Sequence, residues 1–346
     1  MEEASSKPIF FALGNTFIDC YASFETKDIL EKYGITFGAP GDVSEDQLPV
    51  FKDLEAAPDY MEMPGGSAIN TIRAINFMMK KHLDKTNSVL YFGTIGKDEE
   101  AGRIKGLLDE EGIQYKFNEQ KDKFTGRCAV MVIEGERTPI SNCGVNNFYQ
   151  TQHFRDNMHL LSESDVFYVE GFFVSSNYEA ITLAYKYAEE NEKVFTFNLC
   201  GEHWIENWTD KFIEILPYCD MLFGNYNEFK TLATLMGITY ETKEEMLNKI
   251  SSYKKNKENK RVVLMSMDKE GALLDEYDFE KDTHLQVFEE SELLTKEQVV
   301  DTCCAGDTFI GGFFYGHLNG QSYKDSIRHG HKVAAKVIQK MGCYFE

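Results

Sequence analysis

The apolar positions of this 346-residue chain fall into short runs that stop at glycine or a polar residue, separated by longer stretches of helical period. Residues 9–13 run into Gly14-Asn-Thr-Phe-Ile-Asp19, and residues 88–96, 165–169, 193–198, 221–225 and 261–266 repeat the form. Each reads as a buried strand that turns polar at its carboxyl end. Between and after them, residues 67–79, 97–112, 178–190, 209–216, 227–236, 243–254 and 323–341 carry helical spacing. Strands alternating with helices predict an α/β fold with a doubly wound, mostly parallel sheet, because a parallel neighbour is reached only through a crossover segment. In such sheets ligands sit outside the carboxyl ends of the strands.

Two tracts break the rhythm. Residues 24–62 are mixed and interrupted by Gly38-Ala-Pro-Gly41 and Ala57-Pro58, while residues 113–147 alternate, with 127–133 and 137–141 flanking a hairpin at Glu134-Gly-Glu136. Together they predict a small β-sheet lid. The expected division is a large α/β domain of residues 1–16, 67–112 and 148–346, and a lid of residues 17–66 and 113–147.

An apolar content of 42% is enough for a large core, and 36 basic against 57 acidic residues give a net charge of −21. That charge argues against nucleic acid or an anionic membrane as partner. The basic cluster Lys254, Lys255, Lys257, Lys260 and Arg261 reads as a solvated helix end and turn. Eight cysteines show no metal-ligand spacing, and neither a secretory signal nor an apolar span of bilayer length is read, so reduced thiols in the cytoplasm are expected.

The candidate chemistry gathers at Asp301-Thr-Cys-Cys-Ala-Gly-Asp307, which opens onto a helical run through Phe309, Ile310, Phe313 and Phe314. A helix start exposes amides that have no intrahelical acceptor, so it receives anions; Asp307 in the first turn either caps the helix or takes a proton from a bound hydroxyl. Pro64-Gly-Gly-Ser-Ala-Ile-Asn70 is a second such entry. Gly65 and Gly66 admit a ligand close to the backbone, while Ser67 and Asn70 offer side-chain hydrogen bonds, or Ser67 simply caps. Asp19 is a ligand contact or a turn residue. Asn225 and Glu228, one turn apart, suit waters around Mg²⁺. Arg137 on the hairpin is either solvated or a lid arginine for a phosphate. His329 and His331 either border a base or are ordinary surface or core histidines.

In order and spacing these motifs resemble the adenosine kinases of the ribokinase family of sugar and nucleoside kinases, over about residues 10–345. Asp301, Thr302, Ala305, Gly306 and Asp307 match the D-T-x-G-A-G-D signature. Gly14-Asn15 with Asp19, Gly65-Gly66-Ser67 with Asn70, residues 91–96, Thr125-Gly-Arg-Cys-Ala129, Gly171-Phe-Phe173, Phe223-Gly-Asn225 with Glu228, and Gly342-Cys343 follow in register. The resemblance implies a ribokinase-like fold and transfer of the ATP γ-phosphate to the 5′-hydroxyl of adenosine, giving AMP in purine salvage, with Mg²⁺ and as a monomer. It implies Asp307 as base, the amides of Ala305, Gly306 and Asp307 as phosphoryl cradle, and Arg137 as the neutralising cation. Asp19, Asn70 and the Gly65-Gly66 backbone would hold the ribose, with Asn15, Ser67, Cys128 and Phe172 completing the substrate pocket. Asn225 and Glu228 would serve Mg²⁺ through water; Ser266, Gly271, Cys304 and His331 would lie along ATP.

Some positions depart from the family pattern. Cys304 replaces a glycine, and its Cβ would restrict a backbone expected to need glycine's freedom. Cys303 is a second change in that loop. Asp268 stands where the nucleotide loop has glycine, and Cys200-Gly-Glu-His-Trp204 replaces an apolar segment. These changes leave open a different nucleoside or sugar, or nucleoside binding without efficient turnover.

Overall fold

The computed structural model describes residues 9–38, 41–85, 88–133 and 136–345. In chain order the strands are β1 Phe10–Leu13, β2 Phe17–Phe24, β3 Gly41–Asp42, β4 Met61–Gly65, β5 Val89–Ile95, β6 Gln114–Glu119 and β7 Gly126–Ile133. They continue with β8 Glu136–Asn142, β9 Val166–Glu170, β10 Val194–Asn198, β11 Met221–Asn225, β12 Lys260–Ser266, β13 Ala272–Asp278 and β14 Thr283–Glu289. Nine form one sheet in the order β14-β13-β12-β11-β10-β9-β1-β5-β6, parallel from β12 to β6 and antiparallel at the β13 and β14 edge. The other five form a sheet ordered β3-β8-β7-β2-β4.

The large sheet is covered on both faces, which is why its strands read as unbroken apolar runs. Successive residues of β1 point to opposite sides: Phe10 and Ala12 join the core beneath the Ala305–Leu318 helix, where the Phe10 and Phe314 rings meet edge-on at 4.8 Å, while Phe11 and Leu13 join the core around Phe167 and Phe173. β1 lies between β9 and β5, where the direction of winding reverses. That switch point opens a crevice at the strands' carboxyl ends, and Gly14-Asn15-Thr16 leads from it straight into β2 of the small sheet.

Several boundaries differ from the sequence reading. Residues 114–119, assigned to the lid, pair in parallel with β5 as the edge of the large sheet; their alternation is that of a half-exposed edge strand. The tract 24–62 holds two helices, Asp28–Tyr33 and Val50–Glu55, besides β3 and β4. Glu134 and Gly135 of the hairpin lie outside the described residues, but β7 and β8 pair antiparallel on either side of them. The helix read from residue 178 begins at Phe173 and breaks at Asn177, whose Oδ1 accepts the Ala180 N–H at 2.8 Å, so the periodic part starts where expected. The final helix ends at Val337. Among the described residues no helix is long and apolar enough to cross a membrane.

Candidate active site

A cavity of about 660 Å³ occupies the crevice between the two sheets. One end is walled by Asn15, Asp19 and Cys128 under the small sheet; the other reaches Asn225, Glu228 and Ser266 at the ends of β11 and β12. Gly306 and Asp307 line the same cavity.

The Ala305–Leu318 helix starts without a side-chain cap. Asp307 does not bend back to its own amides: its Oδ1 accepts the Ser67 hydroxyl at 2.6 Å and its Oδ2 accepts Asn70 Nδ2 at 3.1 Å. Both donors come from the Ser67–Leu83 helix, whose N-cap is Gly66, so Ser67 is not the cap that one sequence reading allowed. Among the described residues, the N–H groups of Gly306 and Asp307 have no backbone acceptor, whereas the Ala305 N–H is spent on Thr302 O at 3.2 Å. The amide cradle expected from three residues therefore rests on two.

Cys304 needs no glycine backbone: its φ is −94°, an ordinary conformation, which removes the expected conflict. Its buried thiol accepts from Asn70 Nδ2 at 3.4 Å and packs with the free thiol of Cys343. Asp268, by contrast, sits at φ +48° in the left-handed region where a glycine would be easier.

Asn15 donates its N–H to Glu170 Oε1 at 2.6 Å, and its side-chain oxygen accepts from Ser176 Oγ at 2.8 Å. Gly65, at the end of β4, is packed so tightly on the Asp19 carboxylate that any side chain there would collide with it. Gly66 adopts φ +115° with the Asn15 carbonyl pressed against it, a position closed to other residues. Phe172 meets Trp204 edge-on at 4.8 Å, forming an aromatic corner with His203 nearby. Asn70 Oδ1 is buried without a partner among the described residues, an acceptor waiting for a donor.

Arg137 is not solvated. From β8 it reaches over residues 301–303, with Nε 2.9 Å from Asp301 Oδ1, Nη2 donating to Thr302 Oγ1 at 2.5 Å, and Nη1 against Cys303 Sγ. Asp301 also accepts the N–H groups of Cys303 and Gly342, so it ties the small sheet, the helix-entry loop and the C-terminal segment together.

Asn225 and Glu228 form a reciprocal capping box: Asn225 Oδ1 accepts the Glu228 N–H, and Glu228 accepts both the N–H and the side-chain amide of Asn225. No cluster of three metal-ligating side chains occurs among the described residues. Glu228 still faces the cavity, an arrangement that fits a cation held mostly by water and phosphate. Two expected ATP contacts are not brought in. Gly271, at φ +125°, makes room for the Glu289 carbonyl in the turn before β13, and His331 is buried against the ring of Phe309 at 5.0 Å, behind the cavity wall.

Sequence reasoning missed Glu170. It ends the wholly buried strand β9, and its carboxylate accepts both the Asn15 and Ala68 N–H groups at 2.6 Å, joining the switch-point turn to the helix that carries Ser67 and Asn70. A lone carboxylate closing an apolar run was the available signal.

The cavity gathers Asp19, Asp42, Glu170, Glu202, Glu228 and Asp307 against one lining histidine, His203. Burial pushes Asp307 up to about 6, opposed by its two donors. Burial, then the charges of Asp301 and Asp307, push Asp19 up to about 7. Burial likewise carries Glu228 to about 7 and Glu170 to about 8. These four groups thus keep protons in the folded protein that the unfolded chain releases near pH 4, so their contribution to stability is present in full below about pH 4 and is lost as pH rises toward 8. The ligand-free melting temperature is expected to fall by about 3 °C or more between pH 5.5 and 8.5, the effect of ~2 kcal/mol at this size. Glu170→Gln should flatten that slope in a pH series of melts; a melting temperature that rises across the range would refute the assignment.

A doubly wound sheet, a β-sheet flap and a clamped carboxylate at an amide-exposing helix start define a ribokinase-like phosphotransferase. The chain belongs to the pfkB family of carbohydrate kinases, whose profile matches residues 29–346. It is 28% identical over 340 residues to adenosine kinase 1 of Arabidopsis thaliana, covering 97% of this chain and 96% of the relative. With adenosine kinase of Dictyostelium discoideum it shares 29% identity over 333 residues, covering 95% and 94%. Among solved structures it is similar to Anopheles gambiae adenosine kinase in complex with P1,P4-di(adenosine-5) tetraphosphate, with 28% identity, a TM-score of 0.88 and 97% of each chain covered. It is also similar to Trypanosoma brucei brucei adenosine kinase, with 28% identity, a TM-score of 0.87, and 97% and 100% covered.

Proposed function

We propose that this chain phosphorylates adenosine at its 5′-hydroxyl, using ATP and releasing AMP and ADP. The observation that carries the reading is the Asp307 carboxylate, held by Ser67 and Asn70 beside the free amides of Gly306 and Asp307 and within a cavity of about 660 Å³. The relatives' names supply the nucleoside, and the orphaned Asn70 Oδ1, Asp19 and the Phe172–Trp204 corner suit a sugar hydroxyl and a flat base.

The reaction forms a bond from the 5′-oxygen to the γ-phosphorus and breaks the bond to the β–γ bridging oxygen. Asp307 orients the hydroxyl and takes its proton as that bond forms. The amides of Gly306 and Asp307 stabilise charge on the equatorial oxygens, and Arg137 adds positive potential from the lid side. Mg²⁺, held by phosphate and water with Glu228 and Asn225 behind the water, would neutralise the triphosphate in a cavity otherwise rich in carboxylates. The lid keeps water off the transferring group. The reading includes a monomer acting in purine salvage, and a reducing compartment such as the cytoplasm, for which the eight free thiols speak.

Purified protein is to be given Mg·ATP with a panel of nucleosides and sugars. AMP and ADP formed one-to-one from adenosine, ahead of every other acceptor, is the expected result. Preferred turnover of a sugar or another nucleoside, or tight adenosine binding without product, would replace the proposal.

A further inference from the structure

Ser67 is the first residue of its helix, where a hydroxyl has backbone amides to cap, yet it caps none. Its Oγ instead reaches 240 positions along the chain to Asp307 Oδ1 at 2.6 Å, with the Cys200 Sγ at 3.8 Å behind it. One turn further, Asn70 Nδ2 holds the opposite oxygen at 3.1 Å, but that amide group is shared with Cys304 Sγ at 3.4 Å. Ser67 therefore provides the shorter arm.

We propose that Ser67 is a positioning residue for Asp307: with Asn70 it pins the two carboxylate oxygens from opposite sides, so that their remaining lone pairs face the hydroxyl to be phosphorylated. The inference rests on the reading of Asp307 as the base. The terminal torsion of an aspartate is soft, and one donor leaves the carboxylate free to swivel about it. Donors on both oxygens remove that freedom. Each carboxylate oxygen accepts two hydrogen bonds, so one lone pair on each stays available. A hydroxyl donating to the ionised form also favours that form. The titratable groups that face Asp307 from the surrounding elements are Asp19 on β2, Tyr168 and Glu170 on β9, Cys200 after β10, Glu228 after β11 and Cys304 in its own loop, none of which supplies a compensating positive charge. Two features that depart from the family pattern, Cys200 and Cys304, stand directly behind the two arms.

The test compares Ser67→Ala and Ser67→Thr in the intact chain. Alanine is at home at a helix start, so folding is retained. At pH 8, where Asp307 is ionised in either form, kcat of Ser67→Ala should fall about tenfold, the effect of one charge-assisted hydrogen bond, with KM changed less than about twofold. Carboxyl ¹³C titration of the ligand-free protein, with Asp307 assigned through Asp307→Asn, should show its midpoint moved upward in Ser67→Ala and restored in Ser67→Thr, and the acid limb of the rate profile should move with it. An unmoved or lowered midpoint overturns the proposal, as does a loss seen only in KM, which would make Ser67 a substrate contact. Because the titration needs no turnover, it judges the Ser67–Asp307 arm even if the chain phosphorylates nothing in the panel, an outcome that would instead defeat the reading of Asp307.

Discussion

Asp307→Asn is expected to lower kcat by about 10³-fold, within the range a positioned general base contributes, while leaving KM for adenosine nearly unchanged. Asparagine keeps the shape and can still accept one of the two hydrogen bonds from Ser67 and Asn70, so the cavity wall persists. It cannot take a proton. The substitution also removes a carboxylate whose burial holds it up near 6, so the melting temperature should stay level or rise. Initial rates of AMP formation read beside a thermal melt check both parts. A variant within tenfold of the parent would mean that another group, or water, takes the proton.

The second large effect is expected at Arg137. Its guanidinium and the Asp301 carboxylate are both buried, and among the described residues Asp301 has only the Cys303 and Gly342 N–H groups besides. Removing one partner of such a pair leaves an uncompensated charge, so Arg137→Ala should lose about 3 kcal/mol of stability. At this size that is about 4 °C in melting temperature. Phosphoryl transfer should fall by about 10²-fold as well, because the lid loses its hold on the loop that bears Gly306 and Asp307. Lysine should recover little, since it lacks the fork that engages Asp301, Thr302 and Cys303 together. A melting temperature within 1 °C of the parent, together with an unchanged rate, would show that Arg137 neither braces the loop nor serves the reaction; that margin is well below the ~3 kcal/mol expected for a buried pair.

Arg137 and Asp301 also mark where sequence reasoning stops. Arg137 was legible as a candidate cation, and Asp301 as the start of a motif, but their contact joins residues more than 160 positions apart. Asp307 was legible because the residues that make its helix start are its immediate neighbours. Glu170 was passed over: its two short bonds run to Asn15 and Ala68, 155 and 102 positions away, and nothing next to it in sequence announces them. Gly271 and His331 were drawn toward the nucleotide by their place in a motif order, whereas packing turns them to Glu289 and Phe309 behind the wall.

What the amino-acid order determined by itself was periodic and local: buried strands that turn polar at one end, helices with their starting residues, and the tract 301–307 poised on a helix entry. Those features follow from backbone hydrogen bonding and from which face must leave water, and each is settled within a few residues. Tertiary structure alone decided which sheet received residues 114–119, that Ser67 would hold Asp307 rather than cap its helix, and that Asp301 would bind Arg137. Those choices depend on which distant groups arrive together when two sheets close over one crevice, and a buried polar group takes the partner the fold delivers to it.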